Sequence, residues 1–135
     1  MSRGRPPTKG MDIAMPVAKA RGRVIELVQN GDTPGDFGII VGGVVTFVSF
    51  CRADPFRCTP AEIEVENRLR IARLRSVPAS VHVLRELWIY SKYGSLRFFR
   101  VEDTWLLEIG PDGMPLGAGA GKAGNGTTGN DPKKK

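Results

Sequence analysis

The stretch Pro34 to Arg52, PGDFGIIVGGVVTFVSFCR, constrains the fold more than any other part of the chain. Gly42-Gly43 divides it into two apolar runs. A two-residue primed turn needs positive φ at both positions, which glycine accepts without strain, so an antiparallel hairpin over Phe37–Val41 and Val44–Phe50 is predicted. Both arms are almost continuously apolar, and strands of that kind are covered on both faces, as in the middle of an α/β sheet. One acid, Asp36, opens the first arm, and the second arm ends in Ser49-Phe50-Cys51-Arg52.

The flanking segments extend this centre into a layered domain. Arg23 to Val28, RVIELV, has the β-branched content of a strand, and Asn30 to Gly35 is a loop dense in Gly, Pro, Asp and Asn. Upstream, Asp12 to Ala20, DIAMPVAKA, reads as a short helix with Pro16 in its first turn. Downstream, Thr59-Pro60-Ala61-Glu62 combines a cap, a proline at the first helical position and a glutamate at the capping-box position. The helix it starts runs to about Ser76, ahead of Pro78. Ala61, Val65, Leu69 and Ala72 are expected on its apolar face, with Ile71 and Leu74 beside them. Arg68, Arg70, Arg73 and Arg75 fall on the wetter side, where cations also complement the helix dipole. Val81–Ser91 and Leu96–Val101 read as strands, and Thr104–Ile109 as a strand or a short helix. The order α-β-β-β-α-β-β implies an α/β fold, a central mixed sheet flanked by helices. One domain over 12–109 is expected, with a basic arm over 1–11 and a Gly-rich basic tail over 110–135.

Charge places the partners. The chain of 135 residues carries a net +6. The span 11–109 is close to charge balance, so the excess sits in the flanks: Arg3, Arg5, Lys9, Lys122 and Lys133 to Lys135. Such flanks either hold a polyanion through phosphate contacts or serve solubility. No apolar run reaches the roughly 18 residues of a membrane helix. The N-terminal MSRGRPPTKG lacks a following apolar region, and a cytoplasmic protein is expected. Cys51, Cys58 and the single His82 fall short of a structural zinc set. His82 alternates with Val81 and Val83, which argues against a Cys51–His82 dyad. Gly117 to Lys122, GAGAGK, is followed by Ala123 and lacks the strand-to-helix setting of a phosphate loop. Trp88 and Tyr90 share one strand face and are expected to pack in the sheet rather than stack on bases.

An acid opening the second strand, a polar pair ending the third and a capped helix after it resemble the PD-(D/E)xK nuclease superfamily, above all its small Holliday junction resolvase-like members. The resemblance spans about residues 12–100. It implies a restriction-endonuclease-like core, DNA as partner and a catalytic site in which two carboxylates hold Mg²⁺ beside a lysine. By position, Asp36 matches the family's aspartate and is the candidate metal ligand. Ser49 falls where the second acid or glutamine belongs, and Cys51 where the lysine belongs. A strand spacing of two puts both on one face. Neither supplies charge, so a DNA-binding protein with a degenerate catalytic motif is expected. Arg52, Arg57, Arg97 and Arg100 are the candidate phosphate contacts. Two alternatives stay open: an active Mg²⁺-dependent endonuclease completed by other acids such as Glu26 or Asp12, and a protein-interaction module, including a homodimer through the sheet.

Overall fold

A computed structural model describes residues 8–30, 32–53 and 57–116. In chain order the elements are α1 (Thr8–Arg21), β1 (Arg23–Glu26), β2 (Phe37–Val41), β3 (Val44–Arg52), α2 (Pro60–Glu66), α3 (Arg68–Arg75), β4 (Val83–Tyr90), β5 (Leu96–Val101) and β6 (Leu106–Ile109). The strands form one six-stranded sheet in the order β1-β2-β3-β4-β5-β6. All neighbours are antiparallel except β3 and β4, which run parallel and are joined by the crossover through α2 and α3. The result is an α/β fold with a mixed sheet and helices packed against it.

The central hairpin forms as its glycines demand. Gly42 and Gly43 hold φ of 57° and 79°, the positive pair of a primed turn. The β2–β3 register pairs Phe37 with Val48 and Val41 with Val44. Alternation along β3 then divides the side chains between two cores. Val48 and Phe50 join Phe37, Trp88, Tyr90 and Phe98 under α1, with Phe50 stacked on Tyr90 at 4.8 Å and Trp88 edge-on to Phe98. Cys51 joins Leu87, Ile89 and Phe99 under α2 and α3. The two aromatics expected in the sheet are therefore core residues.

Helix α1 starts earlier than the sequence suggests, at Thr8, so Pro16 lies inside it rather than in its first turn. Proline removes one helical hydrogen bond and crowds the preceding turn. The helix persists because Gly10, Ala14 and Ala18, spaced four apart, are buried against the sheet. A Cβ on Gly10 would lie 2.7 Å from the Tyr90 ring. Tertiary packing overrides the local penalty here.

The second helical segment also departs from expectation. The capping box at Thr59 and Glu62 is present, but Asn67 splits the helix into α2 and α3. The buried residues are Ile63, Ile71 and Leu74, whereas Val65 and Leu69 are 63% and 69% exposed. The inward stripe runs 63, 67, 71, 74, with polar, half-buried Asn67 in its middle. That asparagine makes the neighbouring stripe look more apolar in sequence. At the C-terminal side, Ile109 bridges Pro115 and Leu116 N–H donates to the Glu108 carbonyl, so the fold continues past residue 109. The basic tail and GAGAGK beyond residue 116 lie outside the described residues, as do residues 1–7 of the arm.

Candidate functional site

The turn before β2 places Asp36. Its N–H donates to the Val48 carbonyl at 2.7 Å, and its Oδ2 accepts the Phe50 N–H at 2.6 Å. Asp36 thus bridges the ends of both hairpin strands, on the side away from Phe37. Ser49 and Cys51 alternate with Val48 and Phe50 and face α2 and α3, so the spacing of two does bring them to one face with Asp36. Both are buried.

A cation reaches this face from α3. Arg70 Nη1 donates to Ser49 Oγ at 3.2 Å and lies 3.8 Å from Asp36 Oδ2. Cys51 Sγ donates to Asn67 Oδ1 at 3.3 Å, while Asn67 Nδ2 donates to the Ile63 carbonyl at 3.0 Å. The helix break and the site are therefore one feature. Asn67 interrupts the apolar stripe because its side chain meets the thiol and the Ile63 carbonyl, which also accepts the Asn67 N–H. Burial pushes the Cys51 thiol pKa up; Arg70 opposes this and Asp36 adds to it. Cys51 is held as a neutral thiol, not as a nucleophile. His82 opens the parallel partner strand, where its carbonyl accepts from Val45, while Cys51 pairs with Ile89. At about 3.3 Å per strand residue the two side chains are ~20 Å apart.

Gln29, Thr33, Gly35, Asp36, Ser49, Arg70 and Arg73 line a polar cup of about 210 Å³. Its walls are the loop before β2, the hairpin and α3. Two guanidinium groups and one carboxylate give it a net positive charge. The donors do not suit Mg²⁺. One carboxylate oxygen, Asp36 Oδ2, already takes an N–H and has the Arg70 cation 3.8 Å away, and the serine oxygen already takes the same guanidinium. Magnesium gives up its waters only for several oxygen ligands of favourable charge. The other proposed acids do not help. Glu26 pairs with Phe37 and so lies on the α1 face, and Asp12 is an exposed residue of α1. Among the described residues, no three His, Cys, Asp or Glu side chains converge in a metal-binding group.

The arginines singled out from sequence scatter. Arg52 is exposed at the end of β3, paired in register with Tyr90 and so on the α1 side. Arg57 is exposed and borders a second hollow with Arg97 and Glu108. Arg97 makes a bidentate pair with Glu108 at 2.9 and 2.8 Å, donates to the Cys58 carbonyl and covers the Phe99 ring. That pairing raises its pKa, led by the Glu108 hydrogen bond. Arg100 donates to the Gly113 carbonyl at 2.7 Å. Arg85 is buried and ties the Val77 and Val101 carbonyls and Asp103 together. The residues at the Asp36 face that sequence reading passed over are Arg70 and Asn67. The signal was present in the periodicity. Once Asn67 is put on the buried stripe, Arg70 falls on its flank, toward the hairpin end.

No protein-family model, curated protein or solved structure matches the chain.

Proposed function

We propose that this chain is a nucleic-acid-binding protein built on a restriction-endonuclease-like core of the PD-(D/E)xK type, in which a guanidinium has taken the place of the metal. The fold supports the reading through α1, a three-strand meander, a helical crossover and a fourth strand parallel to the third. The observation that carries it is the position of Arg70: it sits on Ser49 and beside Asp36, where the family's chemistry would need a divalent cation. A guanidinium at that point binds phosphate oxygens by charge-assisted hydrogen bonds but activates no water. The reading is therefore a DNA-binding function without hydrolysis.

Two measurements on the full chain test this. Fluorescence anisotropy with branched, flapped and linear DNA should show binding that weakens steeply with salt. Incubation of the same DNAs with Mg²⁺ or Mn²⁺ should leave them intact. Cleavage that disappears in Asp36→Ala would instead establish an active endonuclease. A second reading, a protein-interaction module, draws on Val65 and Leu69, adjacent exposed apolar residues on the outer side of the α2–α3 segment. It would be favoured if no DNA bound at any salt concentration.

A further inference from the structure

We propose that the cup between Asp36, Ser49 and α3 is a seat for one terminal phosphate monoester, the phosphorylated end of a nucleic-acid strand. The inference rests on the nucleic-acid reading but goes further, because it assigns the ligand group and the way it enters.

The shape is the first argument. Loop, hairpin and helix each supply a wall, and about 210 Å³ accommodates a phosphoryl group and a few waters. Gly35 lets the loop wall lie directly on β3: a Cβ there would be 2.7 Å from the Val48 carbonyl oxygen. A phosphodiester carries chain on two sides and needs a groove, whereas a monoester enters a cup by its free oxygens.

The charges are the second argument. Arg70 is anchored by Ser49 and Asp36, which orients its guanidinium and leaves further N–H groups to donate. Arg73 is exposed on the next part of α3 and makes no ion pair or side-chain hydrogen bond among the described residues. Asp36 neutralises part of this charge but not all of it. A residual positive site favours the near-dianionic monoester over the monoanionic diester. Ser49 adds a hydroxyl whose oxygen accepts from Arg70, so its proton is available to a phosphate oxygen. Gln29 and Thr33 play a different part: their donors already hold Gly35, Leu27 and Val28 carbonyls and so fix the loop wall.

The test compares oligonucleotides that are identical except for a 5′-phosphate, a 3′-phosphate or hydroxyl ends, at constant salt. Anisotropy should show one of the phosphorylated strands binding about tenfold tighter than the hydroxyl strand, the gain expected of one charge-assisted contact. Arg73→Gln, an exposed position, should remove that preference, costing the phosphorylated strand about tenfold more affinity than the hydroxyl strand. Inorganic phosphate should perturb the Arg70 and Arg73 side-chain NMR signals of the wild-type chain and compete for the phosphorylated strand. Equal affinity for all three ends, with no phosphate effect on either arginine, would overturn the seat while DNA binding itself stood. Failure of any oligonucleotide to bind, with the phosphate effect on both arginines retained, would overturn the nucleic-acid reading and the strand-end assignment, leaving a bare phosphate site.

Discussion

At the scale of single residues, the two faces of the sheet use buried polar groups for different ends. Under α1, Glu86 is fully buried and takes both Arg21 terminal nitrogens at 2.7 Å, with Trp88 Nε1 donating at 2.8 Å. Every acceptor there serves the fold. Glu86→Leu leaves Arg21 without its counter-ion in a mostly buried position, and denaturant titration should show a loss of about 3–5 kcal/mol. The double variant Glu86→Leu/Arg21→Met removes both charges and should recover only part of that loss, because the buried Trp88 indole N–H loses its acceptor in both variants. Under α3, Cys51 behaves differently. Its raised pKa means that the folded chain keeps the proton after the unfolded chain has lost it. Its contribution to stability is thus full below the unfolded thiol value of about 8.5 and declines as pH rises above it. Thiol-reactive reagents should label Cys51 only after denaturation at pH 7, and native labelling at that pH would contradict the buried neutral thiol. Both residues show what sequence could and could not convey. The strand face of Cys51 follows from alternation, but the Arg21–Glu86 pair joins positions 65 apart in the chain and leaves no local trace.

At the scale of elements, close approach matters more than propensity. Helix α1 carries an internal proline and still forms, because Gly10, Ala14 and Ala18 let its backbone lie on Phe50 and Tyr90. Gly10→Leu puts a side chain where the Tyr90 ring carbon is 2.7 Å from the first added atom. The helix must lift or the aromatic stack must yield, and overpacking of this kind costs about 1–3 kcal/mol. Near-ultraviolet circular dichroism, sensitive to the Phe50–Tyr90 stack, should change together with the midpoint of unfolding. The central hairpin was legible in sequence because a glycine pair and apolar runs are local signals. The capped start of α2 was legible for the same reason. The orientation of α3 was not: Asn67 is satisfied by Cys51 and by the Ile63 carbonyl, and the sequence does not show that a polar residue will face inward until those partners are known.

At the scale of the whole molecule, charge has two sources that one experiment can separate. The flanks hold Arg3, Arg5, Lys122 and Lys133 to Lys135, while α3 of the folded domain holds Arg68, Arg70 and Arg73 around one hollow. Flank cations act through counterion release and are indifferent to strand ends and to sequence. Of the α3 arginines, Arg70 is held by Asp36 and Ser49, and exposed Arg68 and Arg73 are carried on the same helix. Each phosphate contact with duplex DNA adds about 0.9 to the slope of log affinity against log salt. A chain restricted to residues 8–116 should therefore bind more weakly and with a shallower slope than the full chain. The slope that remains should fall again, by about 2, when Arg68 and Arg73 are both changed to Gln, if each contacts one phosphate. Affinity measured from low to moderate salt on these three chains checks the division. A slope that vanishes on trimming alone would assign all of the DNA contact to the flanks and leave the folded domain to a protein partner, through the exposed Val65 and Leu69.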